Sequence, residues 1–143
     1  MDSMKKCAPA ALLAAAAIAV VALFCSTASA ADFDLTVDSK WLIIKVFVNG
    51  QQAFYEEPMF PHLSPRIIFA GSLDRWIIKG KNEVKFVLKS KSGNAADLAF
   101  SAKLSIWEGS KRVWADEVTL SSDEKQLLAK GQEVTLIRYL EYN

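Results

Sequence analysis

His62 is the one histidine of the chain and lies between Pro61 and Leu63. An imidazole suits a general base or a metal ligand, and Glu56 and Glu57 stand close by in sequence. A metal centre needs three or four converging donors, and no second histidine is available. His62 is therefore expected as a loop residue able to touch a ligand, and no metal site is expected. Glu56-Glu57 and Asp116-Glu117 are adjacent acidic pairs. Glycosidic hydrolysis needs two carboxyl groups about 5–10 Å apart across a cleft, whereas neighbours on a strand point to opposite faces. No serine sits in a G-x-S-x-G elbow, and no glycine loop is built to cradle phosphate. The expectation is a protein that is not an enzyme, with no catalytic residue and no cofactor.

Binding is the chemistry that remains. The four tryptophans are Trp41, Trp76, Trp107 and Trp114. Most are expected in the core, but alternation puts Trp107 on the same face as Lys103 and Ser105, at the end of its strand. An aromatic ring there can serve as a stacking platform. Tyr55 and Phe60 lie in an irregular segment, where binding residues concentrate. Trp107, Tyr55, Phe60 and His62 are thus the candidate ligand-binding residues.

The elements that must position them read as β throughout. Phe33 to Val37 alternates. Trp41 to Val48 is apolar on both faces, the mark of a central strand, and Asn49-Gly50 tolerates the positive φ of a tight turn. Pro58, Pro61 and Pro65 make Gln51 to Arg66 a long loop or an irregular edge. Ile67 to Ala70 is a short strand, Leu73 to Ile78 a helical turn or extended link, and Gly80-Lys81-Asn82 a turn. Val84, Phe86 and Leu88 point inward from the next strand. Leu98, Phe100, Ala102, Leu104 and Ile106 do the same from the most regular one. Glu108 to Lys111 closes a hairpin to Arg112–Leu120, with Trp114, Val118 and Leu120 toward the core. Ser121 to Leu128 carries the signature of a short capped helix, and Glu133 to Tyr142 is a last strand. The fold class is all-β: an antiparallel two-sheet β-sandwich, jelly-roll or Ig-like in strand order, with about seven to eight strands and at most one short helix.

Ahead of these strands, residues 1–30 have the three parts of a cleavable signal peptide: Lys5-Lys6, an apolar run from Ala8 to Phe24, and an Ala28-Ser29-Ala30 exit. Asp2 is unusual in such a leader, and Met4 would make a more ordinary start. The run sits at the lower limit for a membrane span of about 17–25 residues, and its small-residue exit favours cleavage over retention. Lipid attachment through Cys25 is disfavoured by bulky Phe24 before it. Cleavage after Ala30 leaves residues 31–143 as a single domain, periplasmic or secreted, with no stable membrane insertion. It also removes both cysteines, Cys7 and Cys25. With Asp2, Lys5 and Lys6 gone, basic and acidic residues balance at fifteen each. That balance argues against nucleic acid as a partner.

Val46-Phe47-Val48-Asn49-Gly50 is followed later by Leu73 and by Gly80-Lys81-Asn82-Glu83-Val84. The pairing resembles the galactose-binding-domain-like jelly-roll modules, in which a V-x-V-N-G strand end precedes an L-x-x-G-x-N turn. It covers about the middle third of residues 31–143. The residues shared are turn formers, so the resemblance implies scaffold and no site. It implies a sandwich of a kind that often binds carbohydrate or protein. The sequence therefore points to an exported non-catalytic binding domain recognising a protein partner or a glycan in the cell envelope. A structural or assembly component of an envelope complex is the alternative.

Overall fold

A computed structural model describes residues 31–60 and 63–143. The expected signal peptide, both cysteines, Pro61 and His62 lie outside the described residues. Eight strands form two four-stranded sheets: β1 (Ala31–Lys40), β2 (Leu42–Val48), β3 (Gln51–Glu56), β4 (Arg66–Ser72), β5 (Gly80–Ser90), β6 (Ala99–Glu108), β7 (Lys111–Thr119) and β8 (Val134–Tyr142). One sheet runs β4-β1-β6-β7 and the other β3-β2-β5-β8. Every neighbouring pair is antiparallel. The all-β sandwich expected from the sequence is the fold.

Period-two alternation builds the core. Leu35 and Val37 from β1, Val46 and Val48 from β2, Val84, Phe86 and Leu88 from β5, and Ala102 and Leu104 from β6 are all buried. Phe86 meets Phe100 edge-on across the sheets, with ring centroids 5.6 Å apart. Leu42 to Val48 lies between β3 and β5, so its two-sided apolar character matches a central position.

Trp41 alone joins β1 to β2 and carries the chain from one sheet to the other at φ 62°. Its N–H donates to Pro65 O and its carbonyl accepts from Lys91 N–H, both at 2.8 Å. Asn49 (φ 51°) and Gly50 (φ 80°) make the β2–β3 turn as their conformational freedom suggested. The helix α1 (Ser122–Ala129) has the expected capping box between Ser121 and Glu124. Its Leu128 plugs the core.

Three expectations need refining. Of the two readings of Gln51 to Arg66, the irregular edge holds for Gln51–Glu56, which carries Tyr55 and pairs with β2 across a bulge opposite Val46/Phe47. Glu57 to Phe60 and Leu63 to Pro65 lie outside the strands. Gly80, Lys81 and Asn82 open β5 rather than preceding it. Of the tryptophan strand, Val118 is buried while Trp114 and Leu120 pack against the core half-buried.

Candidate binding surface

β3 sets up the first site. Its Phe54 turns inward against Phe69 (centroids 4.5 Å) and Trp76 (5.4 Å). Tyr55, the next residue, must therefore turn outward. Pro58 is buried and pins the start of the following loop, and Met59 and Phe60 emerge beyond it. Phe60 O accepts from both Leu63 N–H (2.9 Å) and Ser64 N–H (2.7 Å), which folds the chain back into a turn.

The result is a cleft of about 550 Å³ lined by Tyr55, Glu56, Glu57, Pro58, Met59, Phe60 and Lys91. Large apolar side chains stand exposed around it: Met59 by 79%, Leu63 by 76%, Phe60 by 57% and Tyr55 by 47%. Three of its polar groups are committed to one another. Tyr55 Oη donates to Glu57 Oε2 at 2.5 Å. Lys91 Nζ stands 2.6 Å from Glu57 Oε1. Hydrogen bonding from Lys91 and then from Tyr55 holds the Glu57 carboxyl below its ordinary value, and the same carboxylate raises the Tyr55 phenol. A general acid needs the opposite shift, so Glu57 is suited to fixing a surface and not to proton donation.

The structure thus brings together two of the four candidates, Tyr55 and Phe60. Trp107 is elsewhere, half-buried on the outer side of the other sheet, opposite Asp32 on β1 and Arg112 on β7. The Arg112 guanidinium carbon sits 5.9 Å from its ring centroid. A sugar stacking on that side of the ring would have to displace the arginine. The acidic pair Asp116-Glu117 diverges as alternation requires. Asp116 faces Arg138 of β8 at 3.3 Å, and Glu117 accepts from Ser101 Oγ at 2.8 Å. Among the described residues no group of three metal-ligating side chains comes together, and no helix is long and apolar enough to cross a membrane.

Sequence reasoning missed Met59, Leu63 and Lys91. Exposed apolar residues in a proline-rich loop were a usable signal for the first two. Nothing local marked Lys91. It reaches Glu57 only because β2 lies between β3 and β5, a fact of register.

Comparison with protein-family models, curated proteins and solved structures finds no match to this chain.

Proposed function

We propose that residues 1–30 direct export and that residues 31–143 form a non-catalytic domain that binds a protein partner through the surface of Tyr55, Met59, Phe60 and Leu63. One observation carries this reading: Tyr55, Met59 and Phe60 stand exposed in one cleft beside buried Pro58, and Leu63, whose N–H bonds to Phe60 O, is exposed as well. Burying one such side chain is worth about 1.5–3 kcal/mol. Aromatic residues and methionine are enriched at the centres of protein interfaces. The cleft accepts an apolar side chain of the partner, and Lys91 and Glu57 already neutralise each other at its rim.

The glycan reading is the weaker one, since Arg112 already lies over the Trp107 ring. Site-specific photo-cross-linking in cells decides between them. A cross-linker at Met59 should give one discrete protein adduct, lost with Leu63→Ser, while the same group at exposed Thr36 gives none. Retention on a polysaccharide that disappears with Trp107→Ala, with no adduct at Met59, would replace this reading. The export step has its own readout: the N-terminal residue of the exported protein should be Ala31.

A further inference from the structure

Four strands end the two sheets: β3 and β8 in one, β4 and β7 in the other. An edge strand presents unpaired N–H and C=O groups, and edges are normally blunted by charge, proline or a bulge. β3 is bulged against β2. β7 carries Lys111, Arg112, Asp116 and Glu117, and β8 carries Arg138 and Glu141. β4 has no such device between its ends, where Ile67-Ile68-Phe69-Ala70-Gly71 follow one another. Its one charge, Arg66, is held by both carboxylate oxygens of Asp38, at 2.9 and 2.6 Å.

The outer face of the edge is open and its inner face is only partly covered. Ile68 is 69% exposed on the outer side. On the inner side Ile67, Phe69 and Gly71 are only half-buried, although their register partners Ser39, Val37 and Leu35 are fully buried.

We infer that β4 pairs antiparallel with β4 of a second copy of this chain, joining two four-stranded sheets into one across a twofold axis at Phe69. The sequence of the strand is complementary to itself in this register. Phe69 meets Phe69, Ile68 meets Ala70, Ile67 meets Gly71 and Arg66 meets Ser72. Each bulky aliphatic therefore faces a small residue on its own side of the sheet, and no like charges oppose. A shift by one residue would set inner against outer side chains. A shift of the axis to Ile68 would stack the two exposed isoleucines and leave Gly71 and Ser72 unpaired. The balanced charge of residues 31–143 puts no net repulsion between copies. A twofold contact of this kind closes on itself, so it yields a dimer and not a fibre.

The inference is independent of the reading of Tyr55, Met59, Phe60 and Leu63 as a binding surface. Sedimentation equilibrium of the purified protein, residues 31–143, should give twice the chain mass. Ile68→Lys and, separately, Ala70→Lys should each halve it with an unchanged far-UV spectrum, while Phe60→Ser leaves the dimer intact. The domain has no cysteine of its own. The pair Ile68→Cys with Ala70→Cys should thus cross-link two chains on oxidation, and Ala70→Cys alone should not, because its two copies stand diagonally apart. A monomer at every concentration overturns the proposal. So does a dimer that survives both lysine variants, one that is lost with Phe60→Ser alone, or one whose double-cysteine form fails to cross-link.

Discussion

Asn49 Nδ2 donates to Asn82 Oδ1 at 2.8 Å, joining two side chains 33 positions apart. Around this contact the ends of β2 and β5 are stitched together. Asn49 also donates to Trp76 O (3.0 Å) and accepts from Glu83 N–H (3.0 Å). Asn82 accepts from Ile78 N–H and donates to Ile78 O and Gly80 O, at 2.8, 2.8 and 2.9 Å. The two asparagines of the turn pattern are therefore scaffold, holding the Leu73–Lys79 link against the sheet.

Asn82 is fully buried with every side-chain hydrogen-bonding group occupied. Asn82→Ala strands Ile78 N–H and two carbonyls. It should destabilise the fold by about 2–3 kcal/mol in urea titrations, the scale for buried groups left unpaired. Asn82→Asp should also destabilise, since a carboxylate would face the carbonyls of Ile78 and Gly80. Full stability in Asn82→Ala would show that this contact does not hold the fold.

Ser39 is the other buried polar residue, and among the described residues its Oγ has no hydrogen-bond partner. It sits between Ile67 of β4 and Phe100 of β6 in register. Ser39→Ala removes an uncompensated hydroxyl and should raise stability by about 1 kcal/mol. A loss of stability in the same titration would mean that the hydroxyl is partnered.

Gly71 is covered by aromatic rings. A Cβ there would lie 2.7 Å from Phe69 Cζ and 3.1 Å from Phe54 Cζ. The rings are already engaged with each other, so Gly71→Ala should cost about 1–3 kcal/mol, the usual range for overpacking. Combined with Phe54→Leu the cost of the alanine should shrink, and a double-mutant cycle by thermal denaturation measures that coupling.

The Tyr55–Glu57–Lys91 contact should hold across a defined pH window. Glu57 is lowered from 4.5, so its contribution is complete above that value and lost as pH falls through the lower folded value. Tyr55 is raised from 10.0, so its contribution is complete below that value and lost as pH rises through the higher folded one. Ultraviolet difference titration against Tyr55→Phe should show Tyr55 ionising above 10.0, and Glu57→Gln should bring it back down. An unchanged titration in Glu57→Gln would break the link between the two groups.

How far the sequence could be read depended on the range of the interaction. The alternation of Leu98 to Ile106, the Asn49-Gly50 turn and the Ser121–Glu124 capping box each act within a few residues, and each stands in the structure as expected. For Gln51–Glu56 the sequence left a loop and an irregular edge both open, because the evidence that decides is a partner: the stretch becomes a bulged edge once β2 supplies hydrogen bonds. The opening of β5 at Gly80 was hidden for the same reason, since Gly80 extends only against Tyr142.

By itself the amino-acid order determined the elements and the class, an all-β sandwich with one capped helix, because side-chain alternation and turn chemistry are local. It also set the cysteine-free composition of residues 31–143. Only the tertiary structure decided the strand order, which places β3 and β4 at open edges. Only it brought Lys91 onto Glu57, sent Trp107 to the far sheet away from Tyr55 and Phe60, and left β4 as the edge without a blunting charge. Such facts depend on register between residues far apart in the chain. Register is settled when two whole faces bury against each other, which no single segment records.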